Sequence, residues 1–105
     1  MISETRLSEL TYKAAESAGI DCRYPNIQVG FVHTPDKNSI KYTISNVAIE
    51  LDVSDWIAEM DEDTFVALMV FFFDLHVNFH RDAEMPKEVR EWTDANRYKW
   101  TGVSA

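Results

Sequence analysis

An α+β fold is expected for this chain, and three patterns in the sequence point to it. Apolar residues recur at helical spacing through residues 3–18 and alternate at period two through 24–33, 40–44 and 47–53. They then merge into a nine-residue apolar run, Phe65 to Phe73 (FVALMVFFF). The expected order is α-β-β-(β)-α-α in one domain over residues 1–105. A small antiparallel sheet of two or three strands packs against an N-terminal helix, a long apolar central helix and a C-terminal helix.

The first helix is expected over residues 3–18. Ser3 supplies a cap, Glu4 suits the first turn, and Ile2 staples onto Leu7 across the cap. Leu7, Leu10, Thr11, Ala14 and Ala18 form a narrow stripe suited to close packing on a sheet. Gly19 is the expected stop.

In the strands, Ile27, Val29 and Phe31 alternate with Gln28, Gly30 and Val32. Thr34–Ser39 reads as a turn, with Pro35 presetting φ and Asp36 and Asn38 tolerating turn geometry. Ile40, Tyr42 and Ile44 alternate with Lys41 and Thr43. Ser45-Asn46 marks a bulge, bend or short turn. Val47, Ile49, Leu51 and Val53 then face inward, leaving Ala48, Glu50 and Asp52 outward.

Ser54 or Asp55 caps a short helix, Trp56–Met60, and Asp61 caps the central helix, expected over 62–82. Apolar residues cover most of its girth, as in a buried central helix. The remaining face includes Phe71, and an exposed Phe71 would mark a dimer or partner surface. Pro86 fits the first position of a final helix, 86–99, lined by Val89, Trp92, Asn96 and Trp100. Trp56 and Trp92 are expected to close the ends of the core.

Charge is distributed very unevenly. Glu50, Asp52, Asp55, Glu59, Asp61, Glu62 and Asp63 are seven acids with no base among them, in a chain of formal charge −8. Outside that stretch eleven acids face ten bases. Three of the seven, Asp61, Glu62 and Asp63, lie where a helix dipole favours negative charge, and so need no ligand. Glu50, Asp52, Asp55 and Glu59 remain as the acids of a binding face. Outward strand residues at i and i+2 stand about 6.6 Å apart at ~3.3 Å rise per residue. That is close to the roughly 7 Å between neighbouring phosphates implied by a rise of about 3.4 Å per strand residue.

The pI near 4.7 and singly scattered bases argue against direct binding of nucleic acid or an anionic membrane. They favour a protein partner with a basic surface. The apolar run is too short for the ~20 residues that span a bilayer. Cys22 is alone, which favours a reducing compartment, and the first ten residues lack the pattern of a secretory signal. A cytoplasmic protein is expected.

Chemical motifs are sparse. A calcium loop needs a glycine six residues in, and the next glycine after Asp52 is Gly102. His76 and His80 stand at i and i+4, a zinc-ligand spacing on a helix, but without the glutamate of a hydrolytic motif. Neither a nucleophile elbow nor a glycine-rich phosphate loop is present. No cofactor, metal site or catalytic residue is therefore assigned, and a non-enzymatic protein is expected. Arg97-Tyr98-Lys99-Trp100 is a mixed aromatic and basic tip typical of interaction anchors, with Tyr98 and Trp100 the contact residues.

The function expected is a small acidic protein-binding module. Its leading form is an inhibitor or decoy that docks on a basic, nucleic-acid-binding partner, in the manner of phage or mobile-element counter-defence factors. An acidic chaperone, antitoxin or immunity-type protein, dimeric through the Phe71 side, is a second class. A metal-binding protein using His76 and His80 is a third.

Overall fold

The computed structural model describes residues 1–21, 26–33 and 40–96. Cys22, the 34–39 turn, and Tyr98 and Trp100 of the expected aromatic tip lie outside the described residues. The described elements run α1 (Glu4–Ser17), β1 (Asn26–Val32), β2 (Ile40–Ile44), β3 (Ala48–Ser54), a 3-10 helix (Asp55–Glu59), α2 (Glu62–His76) and α3 (Lys87–Ala95). The architecture is α+β, as expected.

Helix α1 begins and ends by side-chain and glycine chemistry. The Ser3 hydroxyl accepts from the Arg6 N–H at 3.1 Å, satisfying one orphan donor of the first turn. At the other end Gly19 takes φ +79°, where its lack of a Cβ removes the steric penalty. That turn brings the Gly19 N–H to the Glu16 carbonyl and the Ile20 N–H to the Ala15 carbonyl, both at 3.0 Å, a Schellman closure. The stripe buries Leu7, Leu10, Thr11, Ala14 and Ala15. Thr11 is tolerated there because its hydroxyl donates to the Leu7 carbonyl at 2.7 Å.

The sheet differs from an antiparallel meander. Its strand order is β1-β3-β2, with β1 parallel to β3 and β2 antiparallel to β3. Alternation reports which face a residue takes but not which strand lies between which. The centre goes to β3, whose Ile49, Leu51 and Val53 are all sealed from solvent. The β2–β3 hairpin is closed by Ser45, which bonds Ala48 through backbone and hydroxyl and leaves Asn46-Val47 as a two-residue turn.

Helices α1 and α2 cover one face of this sheet. Ile27, Ile49, Leu51 and Val53 from the strands meet Leu7, Leu10, Phe65, Met69, Phe72 and Phe73 in one core, with Ile2 and Met60 closing it. Asp61 caps α2, accepting from both the N–H and the hydroxyl of Thr64. Helix α2 stops at His76 instead of running to 82. Asn78 turns its side-chain amide to the Ala18 carbonyl at 2.9 Å, tying the ends of α1 and α2 together. Phe79 takes φ +56° and sends the His80 N–H back to the Asp74 carbonyl.

Helix α3 starts after Pro86, which stands at its cap, and buries Val89. Its Trp92 stacks on Trp56 of the 3-10 helix, with centroids 5.5 Å apart and planes 7° from parallel. The two tryptophans, both partly buried, pack together against one side of the core instead of closing its separate ends. Among the described residues no helix is long and apolar enough to cross a membrane.

Candidate binding face

Among the described residues no helix covers the second face of the sheet. Alternation places Glu50 and Asp52 of the central strand there, both exposed. Register sets their neighbours: Gln28 and Thr43 flank Glu50, while Gly30 and Lys41 flank Asp52. These six residues line a shallow concavity of about 450 Å³. Each acid thus stands between a neutral residue on one side and a neutral or basic residue on the other. The face is polar and ready to hydrogen-bond, rather than a bare negative patch.

Gly30 opens this surface. A Cβ built there meets only the Glu4 Oε2, at 3.9 Å, so the position is roomy and brings the α1 carboxylate to the rim of the face. The other oxygen of Glu4 accepts from the Phe31 N–H at 3.3 Å. Glu4 is an acid that sequence reasoning assigned only to the helix start. Nothing local in the sequence signals that second role, because it depends on how the start of α1 lies against β1.

The remaining acids of the 50–63 stretch go elsewhere. Asp55 opens the 3-10 helix beyond the end of β3 and pairs with His33, Oδ2 to Nδ1 at 3.0 Å. Glu59 is exposed at the end of that helix. Asp61 is the α2 cap, and the Thr64 hydroxyl, followed by its backbone N–H, holds the Asp61 carboxyl below the usual range. Glu62 is gripped by Arg6, which lowers its pKa in the same way. The structure therefore brings Glu50 and Asp52 together and sets Asp55 and Glu59 off the strand.

The apolar candidates also move. Phe71 is half-buried, not exposed, in a groove of about 360 Å³ that it shares with Ala67, Val70, Ala83 and Pro86. The large apolar side chains exposed in the described residues include Tyr42, Ile44, Val47 and Phe79. Alternation placed Val47 inward with β3, but it stands in the β2–β3 turn outside the strand and is 68% exposed. Tyr42 and Ile44 look like core positions by alternation, and they are exposed because β2 is the edge strand.

His76 and His80 do not share a helix face, because α2 ends at His76. The His76 ring packs on Tyr42 and Phe72, with centroids 4.8 Å away in each case, and its Nδ1 lies 3.2 Å from the Tyr42 hydroxyl. His80 is exposed on the following turn. Among the described residues no group of three or more His, Cys, Asp or Glu side chains is placed to hold a metal ion.

No protein-family model, curated protein or solved structure matches this chain.

Proposed function

We propose that this protein is a non-enzymatic binding module that docks the uncovered face of its sheet on a basic protein surface, as an inhibitor or decoy of a partner whose own ligand is anionic. The observation that carries the reading is the pairing of an open sheet face with Glu50 and Asp52 on its central strand. A three-stranded sheet gives those two carboxylates a fixed separation, which a loop would not.

The excess negative charge steers a cationic partner toward the molecule, raising the encounter rate. Gln28, Thr43 and Lys41 around the acids then supply short-range hydrogen bonds that fix register. Lysine or arginine side chains of the partner reach Glu50 and Asp52 as they would reach successive phosphates, which suits a nucleic-acid-binding partner. The lone cysteine and the acidic composition fit a cytoplasmic setting.

The test is capture of purified basic nucleic-acid-binding proteins by the immobilised wild type and by a Glu50→Gln, Asp52→Asn double variant. Wild type should capture at least one of them, and that capture should fall steeply with added salt. The double variant should lose most of it while melting at the wild-type temperature. Equal, salt-insensitive capture by both proteins sinks the reading.

A further inference from the structure

The two edges of the sheet are finished differently. Along β1, side chains of α1 occupy outward backbone groups: Tyr12 donates its hydroxyl to the Ile27 carbonyl at 2.9 Å, and Glu4 accepts from the Phe31 N–H. Monomeric proteins commonly blunt a sheet edge in such ways. Among the described residues no side chain bonds the outer backbone edge of β2.

The phase of that edge follows from the hairpin. The Ser45 N–H bonds the Ala48 carbonyl, so the alternation of an antiparallel ladder turns Thr43 and Lys41 toward Glu50 and Asp52 of β3. The N–H and C=O groups of Ile40, Tyr42 and Ile44 therefore point outward. Their side chains lie on the helix-covered side, and Tyr42 and Ile44 remain 45% and 39% exposed.

We propose that β2 pairs with β2 of a second copy of this chain, antiparallel and centred on Tyr42, to make a six-stranded sheet across a two-fold axis. In this register Tyr42 faces Tyr42 of the partner copy, and Ile40 and Ile44 face each other twice. All three are outward-bonding positions, so each facing pair exchanges two backbone hydrogen bonds. The contact is isologous, as two-fold closure requires. Apolar side chains meet apolar side chains on the helix side. On the open side Lys41, the one charged residue of β2, faces Thr43 of the other copy. Centring on Lys41 instead would set two lysines directly opposite, a destabilising pair, and centring on Thr43 would leave Ile40 without an apolar partner from β2. The chemistry of the strand thus selects a second β2 in one register. This contact is independent of the binding reading above and does not use the Phe71 groove.

Sedimentation equilibrium of the full chain tests the inference, together with amide hydrogen exchange. A reversible monomer–dimer equilibrium is expected. Added salt should strengthen it, because screening relieves repulsion between two chains of like charge, the opposite of its effect on capture of a basic partner. The Tyr42 and Ile44 amides should gain protection as concentration rises, while Thr43, bonded within the sheet, is protected throughout. Ile44→Lys should raise the dissociation constant tenfold or more with little change in melting temperature. A monomer up to about 1 mM, where binding is worth only ~4.1 kcal/mol, overturns the proposal. So does a dimer in which the wild-type Tyr42 and Ile44 amides stay unprotected, whatever the behaviour of the variant, since the contact is then elsewhere.

Discussion

Arg6 of α1 grips Glu62 of α2 with two parallel hydrogen bonds, Nε to Oε2 and Nη2 to Oε1, each 2.8 Å. The third guanidinium nitrogen reaches Glu9 at the same distance. This fork geometry is the specific form of an arginine–carboxylate pair. It also takes Glu62 out of the negative field that the 50–63 stretch presents to solvent. Both partners are exposed, so the pair positions two helices more than it stabilises them. Arg6→Met and Glu62→Gln should each lower the melting temperature slightly, and the double variant should lose no more than the worse single one. The deficit should shrink in high salt. Glu62→Gln should leave capture of a basic partner intact, in contrast to the Glu50 and Asp52 changes. A double-mutant cycle showing no coupling would remove the pair as a structural tie.

Acid should unwind the start of α2 first. Glu62 is held below the ordinary carboxylate range chiefly by its hydrogen bond from Arg6, and Asp61 chiefly by that from Thr64. In the unfolded chain both return to about pH 4. Between the lowered native values and the unfolded ones the unfolded chain binds more protons. The stabilisation is therefore complete above the unfolded values and is lost as pH falls through the native ones. The urea midpoint should be flat from neutrality to about pH 5 and then drop below ~4, with exposure keeping each contribution small. Thr64→Val should flatten that drop. Asp61→Ala should cost about 1 kcal/mol at neutral pH as a lost cap, whereas Asp63→Asn should stay within about ±0.5 kcal/mol. Equal effects at the two positions would contradict the capping assignment.

The phenylalanines of the apolar run should separate by burial. Phe65 and Phe73 are completely buried, and Phe71 is half-buried in its groove. Phe73→Ala should cost about 3–5 kcal/mol, a large share of the ~5–15 kcal/mol available to a domain. Phe71→Ala should cost less than that, because part of its area is already in contact with water. Denaturant titration of the two variants decides this, and a Phe71 loss equal to that of Phe73 would mean the groove is closed in solution.

What the sequence disclosed, and what it withheld, follows from the range of each interaction. Ser3, Gly19 and Asp61 act within a few residues of themselves, so the ends of α1 and the start of α2 were legible. Alternation around Ile49, Leu51 and Val53 assigned the dry face, and with it the outward placement of Glu50 and Asp52. Strand order was not legible, because nothing in 40–44 or 47–53 states that β3 lies between the other two. That one unknown hid the exposure of Tyr42 and Ile44 and the neighbours of Glu50 and Asp52. The end of α2 was hidden for another reason. Its stop uses Asn78 reaching Ala18, sixty residues away in the chain, and a non-glycine residue at positive φ, instead of a glycine or proline.

That residue, Phe79, is open to direct test. It is 74% exposed and sits at φ +56°, where a Cβ crowds the following carbonyl. The left-handed conformation costs a residue with a Cβ roughly 1–2 kcal/mol. Glycine avoids that cost but loses more freedom on folding, about 0.5–1 kcal/mol. Phe79→Gly should therefore be neutral to ~1 kcal/mol more stable than wild type, since little burial is lost with the ring. Phe79→Ala keeps the Cβ and the strain, and should not gain. The order expected in urea is glycine at or above phenylalanine, with alanine no better than phenylalanine. If alanine proves more stable than glycine, the strain is not what this turn stores.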